Sequence, residues 1–282
     1  MVEVTGVEKA WKTFQLNSVS FSLPKGYIMA VVGSNGAGKT TLLNLLLGVY
    51  QMDKGEIRMD GQEFSAHTVA IKNKLGFVVT DELFSGGFTL LENATYYGKY
   101  YEQYEEELFC QYLQRFELDP ESRLKKLSKG EKLKFQFAFA LAHKPKLLVL
   151  DEPTGNFDPE FRQEFLKILT EFVSDGEKSV ILATHNMTDV EQIADYILCL
   201  NKGEQLFFKD REDLEQTYRM VEGPNYLVKN LDKELVVYRE ESSFGAKALV
   251  KHARWRQYDA RLEVRVPGME ELLYGVLKSQ GA

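Results

Sequence analysis

Gly33-Ser34-Asn35-Gly36-Ala37-Gly38-Lys39-Thr40 matches G-x-x-x-x-G-K-[ST], a turn that binds phosphate when it joins a strand to a helix. Its flanks meet that condition. The apolar run Tyr27 to Val32 predicts a strand covered on both faces. Leu42, Leu43, Leu45, Leu46 and Leu47 predict a helix that stops at Gly48, and Thr41 joins the turn from Gly33 to Thr40 as a nucleotide-binding candidate. Glycines let successive backbone N–H groups turn toward phosphate oxygens, and the helix N-terminus adds its dipole. Lys39 supplies a point charge to the terminal phosphates, and the Thr40 hydroxyl can ligate Mg²⁺.

Further along, Leu147-Leu148-Val149-Leu150 is a second buried-strand run and ends on Asp151-Glu152. Ligands of open α/β sheets bind at the carboxyl ends of strands, so Asp151 is a candidate to hold the metal through water. Glu152 points elsewhere and is a candidate to take a proton from an attacking water. A third run, Val180 to Ala183, leads to Thr184-His185. His185 is either a hydrogen-bonded structural histidine or a contact to the γ-phosphate or the attacking water. Ser128 and Glu131 form a capping box ahead of a helix bearing Leu133, Phe135, Ala138 and Leu141. The same helix N-terminus leaves N–H groups where an anion can bind.

Strands alternating with helices predict an α/β layered fold with a largely parallel sheet. Val19, Phe21 and Leu23 read as a half-buried strand, Ile57 and Met59 before Asp60-Gly61 as a short edge strand, and Tyr196 to Phe208 as a closing hairpin. Asp158-Pro159 opens a helix, and Thr188 with Glu191 predicts a capping box for another. Residues 84–145 read as an inserted helical subdomain within a domain spanning 1–216. Residues 217–282 change to short alternating segments, Tyr226 to Val228, Leu235 to Tyr238, Ala253 to Tyr258 and Arg261 to Val266, and end in a helix from Met269 to Lys278. They are expected to form a small α+β appendage.

Composition narrows the functional classes. The 282 residues are 44% hydrophobic and 27% charged, enough for a core and unlike a disordered chain. Lys+Arg 35 against Asp+Glu 42 gives a net charge of −7, which disfavours nucleic acid as a partner. Cys110 and Cys199 cannot build a disulfide framework and fit a reducing compartment. No run is long and apolar enough for a bilayer, and the first residues lack the character of a signal peptide, so a cytosolic chain is expected.

Together these motifs resemble the ATP-binding subunit of an ABC-type transporter, over roughly the first three quarters of the chain. The resemblance implies a P-loop ATPase with a mixed-sheet core, binding ATP and Mg²⁺ as a head-to-tail dimer with a second ATP-binding subunit. It implies work through a separate integral-membrane permease, hence a peripheral position on the inner face of the cell membrane. Leu127–Glu131 matches the family's signature, Leu-Ser-Gly-Gly-Gln, with Lys129 and Glu131 departing from it. Ser128 and Gly130 would then contact the γ-phosphate held by the opposite subunit, with Glu131 completing the signature segment. Glu152 matches the catalytic glutamate, His185 the switch histidine, and Asp158, in Gly155-Asn156-Phe157-Asp158, the D-loop aspartate. Trp11 falls near the aromatic that stacks on adenine, with Phe14 as an alternative. Thr80 stands where the family carries a glutamine, and Asp81-Glu82 follow it. The single nucleotide domain and small appendage look most like the drug, lantibiotic and peptide export branch.

Two surfaces admit more than one reading. Tyr97, Tyr100, Tyr101 and Tyr104 share one helix face, which either packs within the helical subdomain or docks a helix of a membrane partner. Lys247, Lys251, Arg254, Arg256 and Arg261, with Trp255 and Tyr258, read as a solvated face rather than a nucleic-acid surface. The rival functional classes are an ABC ATPase acting on ribosomes or DNA, and a P-loop kinase or switch. The first usually carries two nucleotide domains or a coiled-coil insertion, and the second needs no signature.

Overall fold

The computed structural model describes residues 1–80, 83–251 and 258–279, so Asp81, Glu82, Arg254, Trp255 and Arg256 lie outside the described residues. In chain order the first half carries β1 (Val2–Ala10), β2 (Gln15–Leu23), β3 (Ile28–Val32), α1 (Lys39–Leu46), β4 (Lys54–Met59), β5 (Gln62–Glu63), α2 (Thr68–Lys72), β6 (Leu75–Val78), α3 (Leu90–Gly98), α4 (Glu106–Arg115) and α5 (Lys129–Ala142). The second half carries β7 (Leu147–Asp151), α6 (Pro159–Val173), β8 (Ser179–Ala183), α7 (Met187–Ile193), β9 (Tyr196–Asn201), β10 (Glu204–Asp210) and α8 (Arg211–Thr217). It closes with β11 (Tyr218–Gly223), α9 (Asn225–Lys229), β12 (Val236–Ser242), β13 (Gly245–Lys251), β14 (Glu263–Arg265) and α10 (Met269–Ser279).

A 10-stranded sheet has the order β5-β4-β1-β2-β10-β9-β3-β8-β7-β6. The strands β6, β7, β8, β3 and β9 are parallel neighbours, as their separation by helices demands. The other side is antiparallel: β1 pairs with both β2 and β4, and β4 with β5. The sheet is therefore mixed, which corrects the largely parallel expectation from strand–helix alternation while matching what the family resemblance implied. Alternation counts only strands that helices separate, and it cannot register strands joined by a tight turn. The Trp11 N–H to Phe14 carbonyl bond closes such a turn between β1 and β2. Asp60 and Gly61, both at positive φ, close another, so the sheet's edge is β5 and not the Ile57–Met59 segment.

The parallel strands are buried on both faces, and successive residues feed different cores. Leu147 and Val149 face the core that holds α1, while Leu148 and Leu150 face the one shared with α5 and α6. On β3, Met29 and Val31 join the first core, and Ala30 and Val32 a third. That third core contains Val190 of α7, Leu214 of α8, Met220, Leu249, and Leu272 and Leu273 of α10. The second, 4-stranded sheet, ordered β12-β13-β11-β14, is thus seated against the outer face of the first.

Two local expectations are corrected. α7 is capped by Asn186, whose Oδ1 accepts the Thr188 N–H at 3.2 Å, so its first turn starts before the predicted Thr188–Glu191 box. Glu191 instead accepts the Met269 N–H at 2.6 Å, which fastens α10 to α7. Tyr226 to Val228 lies in α9, not a strand, because the Pro224 carbonyl accepts the N–H groups of Leu227 and Val228 and turns the chain helical.

Candidate functional site

Three adjacent strands deliver the site. The glycine-rich turn leaves β3, Asp151 and Glu152 leave β7, and Thr184 and His185 leave β8, in the neighbour order β3-β8-β7. Register sets their level: Asp151 lies opposite Ala183, and the Glu152 N–H donates to the Ala183 carbonyl at 2.9 Å.

The turn from Gly33 to Gly38 needs its glycines sterically. Gly38 has φ 108° at the N-cap of α1, and a Cβ at Gly33 would lie 2.2 Å from the Leu200 carbonyl oxygen. The β9–β10 hairpin buttresses the loop: the Gly203 N–H donates to the Ala37 carbonyl at 3.0 Å, and the Ser34 hydroxyl to Asn201 at 3.4 Å. Nothing in the spacing from 33 to 201 announces that support. Asn35 and Gly36 are exposed and Ala37 is buried, so the loop presents one side to solvent.

Lys39 is 7% exposed. Its Nζ donates to the Gly33 carbonyl at 2.9 Å and stands 3.6 Å from Glu152 Oε1. Thr40 Oγ1 donates to Asp151 Oδ2 at 2.7 Å, so two hard oxygen ligands from separate elements meet, while Thr41 follows inside the helix. Mg²⁺ takes one or two protein oxygens and completes its shell with waters and phosphates, and this pair suits that habit.

Glu152 adopts the left-handed backbone region at φ 48°, a strained place for a side chain of its size. Its Oε2 lies 2.6 Å from His185 Nδ1 and accepts the His185 backbone N–H at 3.3 Å. Beneath this pair is a network that the sequence reading missed. Asp189 on α7 is fully buried; it accepts the Thr154 hydroxyl at 2.6 Å and pairs with Arg162 of α6 at 2.6 Å. Its partners are far off in the chain, so no local pattern pointed to it.

Ser128 and Glu131 make the expected reciprocal cap of α5: Glu131 Oε2 accepts the Ser128 N–H at 2.7 Å, and Ser128 Oγ the Glu131 N–H at 3.2 Å. The Ser128 hydrogen bonds hold the Glu131 carboxyl below the usual carboxylate range. Gly130 lies tight against the 3-10 turn Pro153–Asn156, where a Cβ would come within 2.5 Å of the Asn156 carbonyl. Asp158 caps α6 through the Phe161 N–H at 2.8 Å, a bond that lowers its pKa, and lies 3.6 Å from Lys134 Nζ.

Trp11 is 40% exposed and meets Tyr50 edge-on at 5.3 Å, an aromatic neighbour absent from the sequence reading. Phe14 instead packs on the cradle, its ring 3.0 Å from where a Gly38 Cβ would sit. Thr80 is exposed, and Gln136 of α5 accepts the adjacent Val79 N–H at 2.9 Å. The tyrosine set does not share a helix face, because α3 ends at Gly98 and only Tyr97 lies on it; Tyr97, Tyr101 and Tyr104 nonetheless pack on the α3–α5 core, while Tyr100 is 66% exposed. An apolar groove of about 580 Å³ runs past Tyr97, Tyr100 and Tyr101 to Leu47, Phe77 and Leu83. In the C-terminal basic set, Lys247 pairs with Glu240 and Arg261 with Asp259.

A family model described as ABC transporter matches residues 16–155. Linearmycin resistance ATP-binding protein LnrL of Bacillus subtilis (strain 168) is 30% identical over 220 residues, covering 76% of this chain and 70% of that protein. Lantibiotic transport ATP-binding protein SrtF of Streptococcus pyogenes is 29% identical over 228 residues, covering 77% of this chain and 96% of that one. A solved ATP-binding subunit of an ABC transporter superposes with a TM-score of 0.71 over 76% of this chain and 92% of its own, at 23% identity.

Proposed function

Because this chain belongs to the ABC transporter family as an ATP-binding, ATP-hydrolysing subunit, we propose that it pairs head to tail with a second such subunit and powers export through a separate membrane-spanning permease. The observation that carries the reading is the meeting of Lys39, Thr40, Asp151, Glu152 and His185 at the carboxyl ends of three adjacent strands.

The backbone from Gly33 to Thr41 holds the phosphates, and Lys39 swings from the Gly33 carbonyl to the terminal ones. Thr40 would ligate Mg²⁺ directly and Asp151 would hold it through water; when bound it would supply charge neutralisation for the phosphates. Glu152 takes a proton from water as the water oxygen attacks the γ-phosphorus, the bond to the bridging oxygen breaks, and ADP and phosphate leave. His185 aims the Glu152 carboxylate. Ser128 and Gly130 contact the γ-phosphate of the opposite subunit, Glu131 holds the Ser128 turn as its reciprocal cap, Asp158 links the two sites, and Trp11 stacks on adenine.

Residues 1–216 form the ATP-binding domain in this reading, and 217–282 an added domain. The apolar groove beside Tyr100 receives a helix of the permease, which brings the chain to the membrane's inner face. Among the described residues no helix is long and apolar enough to cross a membrane. Glu152→Gln should bind ATP with wild-type affinity, lose ~10²–10⁴-fold in turnover, and accumulate as an ATP-loaded dimer by light scattering. Wild-type turnover, or a monomer under saturating ATP, overturns the reading. Detergent pull-down of the intact chain from its own cell should bring down an integral-membrane protein.

A further inference from the structure

Asp189 closes a ring. Along the chain, Glu152 leads through Pro153 to Thr154, whose hydroxyl donates to Asp189 at 2.6 Å. Four residues back from Asp189 along the chain is His185, whose ring returns to Glu152 at 2.6 Å. The two segments are thus clipped to each other twice. The upper clip is made by the groups that face the reaction. The lower one is buried, with Asp189 closed to solvent, and it lies apart from the carboxylate oxygens of Glu152.

We infer that Asp189, through its bond to Thr154, is a positioning residue that keeps Glu152 and His185 in register when their own bond is given up to water and phosphate. This rests on the assignment of Glu152 as general base. The physical need is specific. Glu152 sits at φ 48°, which persists only where the surroundings over-determine it. Its N-terminal side is held by the Ala183 carbonyl, and its C-terminal side by the Thr154–Asp189 bond. A buried carboxylate is retained only if its lone pairs are used, and here Arg162 Nε and Nη2 take one oxygen at 2.7 and 2.6 Å while Thr154 takes the other. The ion pair with α6 fixes Asp189 itself, so the threonine bond is anchored to the fold and not to a mobile side chain.

Thr154 offers the cleaner test, because Asp189→Asn also weakens the Arg162 pair. Thr154→Val keeps the shape and removes the donor, and Thr154→Ser keeps the donor. In the full-length chain, Thr154→Val should lower kcat about ten- to a hundred-fold, the scale of a small misplacement of a reacting group, with KM for ATP within about threefold of wild type. Thr154→Ser should restore it. The NMR signals of the His185 ring, identified by their loss in His185→Ala, should move in Thr154→Val and stay in Thr154→Ser. Retention of wild-type kcat in Thr154→Val, or a loss with unmoved His185 signals, refutes the role. Glu152→Gln measured in parallel separates the cases: if it turns over normally the general-base assignment fails, whereas if it is inactive and Thr154→Val is normal only the positioning role does.

Discussion

His185 Nδ1 stands 2.6 Å from Glu152 Oε2, and the other oxygen of that carboxylate stands 3.6 Å from Lys39 Nζ. One carboxylate therefore links the strand-end histidine to the lysine of the glycine-rich turn. In the proposed mechanism His185→Ala leaves Glu152 its chemistry but removes the group bonded to its carboxylate. Turnover should fall about ten- to a hundred-fold, while ATP affinity in fluorescent-analogue titration changes little. A parallel loss of affinity and turnover would place His185 in nucleotide binding instead.

Lys39→Ala acts at the other end of the link. A charge-assisted contact to phosphate is about twice as strong as a neutral hydrogen bond, so affinity for ATP should drop at least about tenfold. Unchanged binding would show that Lys39 does not touch phosphate. The melting temperature without nucleotide separates this from a folding defect, since the Gly33 carbonyl loses its ammonium donor as well.

Ser128 caps α5, and one substitution can separate that role from the proposed contact to phosphate in the opposite subunit. As the N-cap of α5 its loss should cost about 0.5–2 kcal/mol of stability, visible in urea unfolding without nucleotide. A loss of turnover under conditions where Ser128→Ala is fully folded is the further effect expected if it also faces phosphate in the opposite subunit. Full activity in the folded variant would leave the cap as its whole role.

His143 makes stability depend on pH. Both ring nitrogens approach carbonyl oxygens, Phe139 at 3.1 Å and Leu75 at 3.0 Å. Burial outweighs those two contacts and pushes the imidazole below its ordinary value. The unfolded chain takes up its proton near pH 6.5, before the folded chain does. Stability from this group is therefore complete above that pH and lost as pH falls toward the folded value. The midpoint of urea unfolding, followed from pH 7.5 to 5.5, should fall less steeply in His143→Gln than in wild type.

Much of the site was legible because its parts are local. A glycine-rich strand-to-helix turn, a strand ending in two acids and a reciprocal helix cap each occupy a few consecutive residues, so spacing and residue type suffice to find them. The tight turns between β1 and β2 and the helix at Asn225 were harder. Trp11 to Phe14 carries no glycine signal, and only the Pro224 carbonyl bonds show that Leu227 and Val228 wind rather than extend. The contribution of Asp81 and Glu82 beside Thr80 lies outside the described residues.

By itself, the order of residues determined which chemical groups this protein possesses and that strands would carry them to a common edge, since side-chain period and turn chemistry act over a few positions. Only the tertiary structure decided which groups meet. The pairing of β3, β8 and β7 brings Thr40 to Asp151 and His185 to Glu152, and burial of α7 under α6 and α10 joins Asp189 to Thr154 and Arg162. Those contacts span from 27 to 111 residues of chain, and over such distances it is the packing of the cores, not local propensity, that selects partners.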